Sequence, residues 1–430
     1  MFKSIKETYK GFTSTFWTLI GAMFIDRLGG SLLYPFFSLY ITERFGVGMT
    51  EVGYIFMLHT SAMFFGNMLS GALTDKFGRK QMLLAGIILS GTSSLLMGFI
   101  PNYETFMVFT IITGLLTNIG GPAVNAMMAD ILPDKQRAQG FSILRVVVNL
   151  SVTFGPAIGG LLAGYNYFYL FVTDFVVSMI TAVIVFLKIP ETKPKADPDQ
   201  LEPEQSLLKT IGGYGIVLKD WFFIGILLLT LLTNLVYMQM SSSLSVFLRD
   251  SYSISTQKYG YILSLNAVMV VFMQFWITSK IKNYQPMILM FFGNIFYAIG
   301  FGMYGFVGTY PLFLLAMAIV TIGEMISSPI LQAVIAKLAP ENMRGRYMAV
   351  FNLSFGAANA VGPLAAGIIM DNYDPNWVWY AGGIICTISA VGYLLMLESS
   401  KKKLAAPEKQ DDVERKKGEY AERAQTFSDN

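Results

Sequence analysis

The chain is 430 residues long, with 54% hydrophobic and 14% charged side chains and a formal net charge of +3. Soluble domains carry about 25% charged residues, so a water-facing globule is excluded; 34 Phe, 25 Met and 22 Tyr demand burial and exclude a disordered chain. The small net charge argues against nucleic acid as a partner, and the single cysteine, Cys386, excludes an internal disulfide and any Cys-based metal centre.

A mean hydropathy of +0.52 and apolar runs of about 20 residues, the length a bilayer core demands, predict an all-α membrane protein. In chain order the runs are Phe16–Tyr40, Glu51–Leu73, Gln81–Ile100, Phe106–Met128, Gly140–Ala163 and Phe168–Leu187. A polar stretch follows, and then Trp221–Phe247, Tyr259–Ser279, Pro286–Val307, Pro311–Ala333, Met348–Met370 and Trp377–Leu397. The first run is too long for a cleavable signal, and no small-residue cleavage site follows it. Residues 1–188 thus read as one six-helix bundle and 221–398 as another. Between them, 189–220 reads as a linker with Pro194, Pro198 and Pro203 among charges; the polar tail 399–430 is expected to be disordered.

Loop charges set the orientation. Lys3, Lys6, Lys10, Lys76, Arg79, Lys80, Lys135 and Arg137 lie on one side of the first bundle. Lys188, Lys193, Lys195, Lys209, Lys219, Lys280, Lys282, Lys337, Arg344, Arg346 and Lys401–Lys403 continue that side, against Arg44, Arg249 and Lys258 opposite. Such asymmetry places both termini in the cytoplasm, in a multi-pass protein of the cell's inner membrane, and requires an even number of spans.

The halves repeat each other. Arg137 and Arg344, Gly155 and Gly362, Gly53 and Gly260, and Pro122 and Pro329 are each 207 positions apart. One offset held across several spans implies two like-folded bundles. Parallel repeats of this kind build transporters that bind cargo between the halves at mid-membrane and rock one half against the other.

Ionisable residues inside spans cost at least about 2.5–3.5 kcal/mol each, so they default to functional candidates. Asp26 lies about 15 Å and Glu324 about 20 Å along their helices; both are candidates to carry a proton. His59 falls near the depth expected of Asp26 and is a candidate to tune it. Arg27 cannot face the same way as its neighbour Asp26, so one of the two faces a central cavity and the other a packed interface. Arg27, Arg145 and Asp174 are read as structural or coupling residues. No P-loop, zinc spacing or triad context is present, so neither an enzyme nor a cofactor is expected.

The stretch GALTDKFGRK, with Gly71, Asp75, Gly78, Arg79 and Lys80, resembles the cytoplasmic signature of the major facilitator superfamily. Arg145 and Asn149, followed by Gly155, Pro156, Gly159 and Gly160, resemble the fifth-helix motif of its drug:proton antiporters; Gly323, Glu324, Pro329 and the run Arg344–Tyr347 resemble that branch's tenth-helix region. The resemblance implies twelve transmembrane helices in two pseudo-symmetric bundles. It also implies gating by Gly71, Gly78, Gly155, Pro156, Gly159, Gly160 and an Asp75–Arg79–Asp130 group, with Asp75 capping a helix start and locking an outward-open state. On the helices that line the cavity in this family stand Tyr34, Phe37, Asn118, Asn149, Asn234, Tyr237, Met238, Asn266, Asn352 and Asn359, as candidate substrate contacts. The expected activity is export of lipophilic, cationic small molecules in exchange for protons by a monomer in the bilayer. Proton symport of a sugar, organic acid or peptide is the alternative, and a non-transporting sensor or scaffold a third.

Overall fold

The computed structural model describes residues 11–193, 215–340 and 343–403; the side chains at 72, 75, 134, 138, 344 and 345 also fall outside the description. Expectations placed on Lys3, Lys6, Lys10, Lys195 and Lys209, on most of the linker, on the tail beyond 403 and on the Asp75 side chain therefore lie outside the described residues. Among the described residues, twelve helical spans are long and apolar enough to cross a membrane.

In the first half these are α1 (Ser14–Leu33), continued through a short 3-10 turn at Tyr34–Phe36 into α2 (Phe37–Phe45), then α3 (Met49–Phe77) and α4 (Arg79–Met97). The fourth span is split into α5 (Tyr103–Thr117) and α6 (Gly121–Ile131), followed by α7 (Asp134–Tyr165) and α8 (Phe168–Lys188). The second half opens with α9 (Trp221–Tyr237), a 3-10 turn at Met238–Met240 and α10 (Leu244–Tyr252). It continues through α11 (Thr256–Ile281), α12 (Pro286–Tyr304), α13 (Tyr310–Leu338), α14 (Arg344–Asn372) and α15 (Trp377–Leu395). Side-chain oxygens of Thr13, Asn102, Asp220 and Ser255 accept N–H groups in the first turns of α1, α5, α9 and α11.

The helices outrun the apolar stretches at the basic end. α7 starts at Asp134 rather than Gly140, and α13 ends at Leu338 rather than Ala333. Hydropathy marks only the part of a helix that meets lipid, and polar residues beyond the bilayer edge continue the hydrogen-bond ladder in water. The fourth span departs in a different way. It breaks at Asn118–Gly120, with Pro122 in the first turn of α6, whereas Pro329, its repeat mate, lies inside continuous α13. Gly120 and Gly121 precede Pro122, while Ser327 and Ser328 precede Pro329. Two glycines add backbone entropy where a proline already removes a donor, and together they end the helix.

α1 packs against α7 and α8, α3 against α5, and α4 against α8; in the second half α12 packs against α13 and α15, and α9 against α14. The halves join through α3 with α14 and α7 with α11. These joints close the end opposite the basic loops. A Cβ at Gly53 would lie 2.3 Å from the Leu364 Cα, and one at Gly160 would lie 2.8 Å from the Gly260 Cα. Arg249 donates to Thr42 Oγ1 at 3.0 Å across the same end. Toward the basic end the two helices part: Gly71 of α3 and Gly356 of α14 face open space. Phe64 and Met68 of α3 are exposed there, while Val52 and Ile55 are buried. The chamber between the halves thus opens to the basic face.

One carboxylate latches the closed end. Gly48, the residue before α3, offers no side-chain cap; Asp371 at the end of α14 supplies it, accepting the Met49 N–H at 2.9 Å and the Thr50 N–H at 2.6 Å. A Cβ at position 48 would occupy the Asp371 carboxylate's place. An N-terminal cap contributes about 1–2 kcal/mol, and this one exists only while the two halves touch. Asp371→Ala is expected to raise the open fraction at this end about fivefold to thirtyfold, read as a longer distance between spin labels at Val47 and Tyr373. An unchanged distance distribution would remove Asp371 from the latch.

Candidate functional site

The polar groups of the second half converge on Glu324, midway along α13. Tyr237, at the end of α9, donates its hydroxyl to Glu324 Oε1 at 3.0 Å. Asn266 of α11 donates Nδ2 to Glu324 Oε2 at 2.8 Å and lies 3.0 Å from Thr321 Oγ1. The 3-10 turn at Met238–Met240 ends α9 just beyond Tyr237, and Tyr297 packs edge-on at 6.0 Å. Each carboxylate oxygen therefore has a neutral donor, and among the described residues no cation pairs with Glu324.

The repeat places a counterpart in the first half. His59 and Thr117 precede Asn266 and Glu324 by 207 positions each, and His59 Nε2 lies 3.3 Å from Thr117 Oγ1. The same helix-to-helix polar contact is thus built twice, with a carboxylate in one copy and a hydroxyl in the other. The hydrogen-bond partner of His59 is Thr117, not Asp26.

Asp26 and Arg27 part company as helical neighbours must. Asp26 turns toward α8, where Asp174 lies against Gly29, one turn along α1; a Cβ at Gly29 would fall 2.6 Å from Asp174 Oδ1. Asp174, read from the sequence as a structural or coupling residue, thus packs against the face of α1 that carries Asp26. Arg27 faces the other way and lines a cavity of about 330 Å³ with Asn67, Asn118 and Asn125.

The remaining candidates divide between the joint and the walls. The Tyr34 hydroxyl donates to Asn359 Oδ1 across the two halves, and Asn359 Nδ2 donates to Thr60 Oγ1 at 3.0 Å. Phe37 is packed against Phe56 and Phe106 at the closed end. Asn234 is buried with an unpaired Nδ2, Met238 is half-buried in the turn, and Asn149 and Asn352 are exposed. Gly155 and Gly159 bring α7 onto Ser31 and Leu32 of α1; the adjacent Gly160 meets the other half at Gly260. Pro156 stays within α7.

At the basic mouth Arg79 pairs with Asp130 at 2.7 Å, and Arg145 Nη1 donates to Gln332 Oε1 of the other half. The start of α4 is capped by Glu191, whose carboxylate accepts the Arg79 and Lys80 N–H groups at 3.0 and 3.1 Å. Partial burial raises its pKa, but N–H donors from Lys193, Arg79, Lys80 and Thr192 outweigh that and hold it below the ordinary carboxylate range. Gly78, at φ 101°, takes a backbone shape that L side chains avoid, and a Cβ there would meet Glu191. Asp371 and Glu191 escaped sequence reasoning because each caps a helix distant in the chain.

The chain resembles known transporters over most of its length. It is 24% identical to the Na(+), Li(+), K(+)/H(+) antiporter of Planococcus maritimus, covering 90% of this chain and 96% of that one. It is 23% identical to the quinolone resistance protein NorA of Staphylococcus aureus (strain MSSA476), covering 89% and 96%. A crystal structure of a POT family transporter in complex with 5-aminolevulinic acid superposes with a TM-score of 0.73 at 14% identity, covering 89% of this chain and 96% of that one, which shows a shared fold. The family profile described as Major Facilitator Superfamily matches residues 19–355 and 286–427. With twelve spanning helices in two repeated bundles around one chamber, the chain belongs to the Major Facilitator Superfamily of membrane transporters.

Proposed function

We propose that the protein exports lipophilic, cationic small molecules in exchange for protons, by alternating access, from the inner membrane with its basic face in the cytoplasm. The observation that carries this reading is Glu324, held by Tyr237 and Asn266 with no cation among the described residues. An ionised carboxylate in that setting calls for a counter-charge. A proton or a cationic cargo supplies it, and the two exclude each other. Two relatives, one named for quinolone resistance and one for cation/proton exchange, support the direction and the coupling.

With the chamber open to the cytoplasm, cargo displaces the proton from Glu324. The basic mouth then closes and the Asp371 latch releases, while α3 and α14 part at Gly53. A proton arriving from outside returns to Glu324 and frees the cargo. Asp26, on the α1 face that packs on Asp174, is a second carboxyl site, in the first half, to hold a proton during the cycle. Arg79 and Asp130 order the basic mouth.

Proteoliposomes loaded with a pH dye test the reading against tetraphenylphosphonium, potassium and sodium ions, a sugar and a dipeptide. Tetraphenylphosphonium is expected to drive proton movement opposite to its own. Proton movement in the same direction as a sugar or dipeptide, with none for tetraphenylphosphonium, overturns export in favour of symport.

A further inference from the structure

The cavity beside Arg27 has a chemistry of its own, opposite in sign to the Glu324 cluster. It lies among α1, α3, the split fourth span and α7, and its polar lining is Arg27, Asn67, Asn118 and Asn125, with no Asp or Glu. A guanidinium presents five N–H donors, and the amides add NH₂ groups, of which that of Asn118 already donates one hydrogen to Asn67 Oδ1 at 2.8 Å. Asp26, the nearest acid in sequence, shares a helix face with Gly29, which packs on Asp174 of α8, and makes no ion pair with Arg27 among the described residues. Among the described residues Arg27 forms no ion pair. An unpaired arginine well inside a span persists only where it lines a cavity or meets a partner.

A second feature points the same way. The break at Asn118–Gly120 starts a new helix inside the membrane span, and Gly121 and Pro122 of α6 line this cavity. A helix start carries a partial positive charge, and split transmembrane helices use such ends to hold anionic groups. Here the charge rather than free donors is the contribution, since the Gly121 N–H goes to Asn118 O at 3.1 Å and Pro122 has no N–H. The repeat mate in the second half is unbroken; its counterparts of Asn118 and Arg27, 207 positions on, are Met325 and Asn234. The basic, donor-rich cavity therefore belongs to the first half alone.

From Arg27, the three asparagines and the half-helix start, we infer that this cavity binds an oxyanion, a carboxylate or phosphate carried by a transported molecule or by a lipid headgroup. Anion binding here stands independently of the proposed export. Together with that proposal it makes the chamber bipolar, with Arg27 in one half and Glu324 in the other, and suits cargo that carries both signs of charge.

Purified full-length protein in detergent tests this with phenyl phosphate and phenyltrimethylammonium, which share a ring and differ in charge. Arg27→Gln is expected to weaken phenyl phosphate about tenfold or more, as loss of a charge-assisted donor set implies, and to leave phenyltrimethylammonium within about twofold. Arg27→Lys, which keeps the charge and loses the fork, is expected to fall between. Asn125→Ala, a smaller change, gives a second measure should Arg27→Gln misfold, with a loss of about threefold to tenfold expected. In Glu324→Gln, phenyl phosphate binding is expected to persist even if cation exchange fails, which separates this site from the proposed export. Competition by phosphatidylglycerol in nanodiscs, compared with phosphatidylcholine alone, identifies a headgroup as occupant; its absence identifies free cargo. Equal phenyl phosphate affinity in the wild type, Arg27→Gln and Asn125→Ala overturns the assignment.

Discussion

Glu324→Gln is expected to abolish proton-coupled movement of cations while leaving the protein folded. Glutamine has the shape of glutamate and keeps one oxygen to accept from Tyr237, now 3.0 Å away. Its NH₂ would face the Asn266 NH₂ across a 2.8 Å contact, so the Asn266 amide must turn over to present its oxygen. That rearrangement is local. The lost charge is not, because a neutral amide neither takes up a proton nor balances a cation. Charge-assisted hydrogen bonds contribute about 1.5–3 kcal/mol, so affinity for a lipophilic cation is expected to fall about tenfold to a hundredfold. Cation-evoked proton release should disappear, and uncharged compounds should lose far less. Equal losses for cations and neutral compounds would leave Glu324 a packing role.

Gly53→Val is expected to stop turnover by preventing closure of the mouth opposite the basic loops. At position 53 a Cβ would lie 2.3 Å from the Leu364 Cα, and backbone cannot step aside as a flexible side chain can. Overpacking costs about 1–3 kcal/mol even where neighbours can adjust, and here the whole cost falls on one conformation. When that mouth opens, the same valine meets no backbone. The expected result is transport reduced more than about tenfold, little change in thermal stability, and a lasting gain in label accessibility at that end. Gly160→Val should act alike through the Gly260 contact, since it blocks the second joint between the halves. Normal transport by both variants would show that the two joints do not need to close.

The elements of Glu324's site are visible in the sequence as separate candidates. Tyr237, Asn266 and Glu324 stand on three helices, and nothing in their spacing joins them until the bundle brings α9, α11 and α13 together. The 207-residue offset reaches further than the glycines and prolines that reveal it, since it also relates His59 and Thr117 to Asn266 and Glu324. That correspondence is a property of the sequence alone, and it links the two polar pairs. Where Asp26 and Arg27 point is another matter. The rule that adjacent helical residues diverge shows only that they differ, and the packing of α8 against α1 at Gly29 decides which one meets Asp174.

Composition, the lengths of the apolar runs, the one-sided basic loops and the internal repeat were enough for twelve spans and two like bundles, and the stretch GALTDKFGRK carried the resemblance to the family. Each reflects a local cost, of charge in lipid or of polar backbone without partners, that a stretch of chain meets wherever its neighbours lie. Tertiary structure alone decided which mouth is shut, that Asp371 caps α3 from 322 residues away, that Glu191 caps α4, and that the helix start made by Gly120, Gly121 and Pro122 comes to lie beside Arg27. Those features arise from contacts between segments distant in the chain and from the azimuth at which each helix packs, and neither is encoded in the local pattern of any one segment.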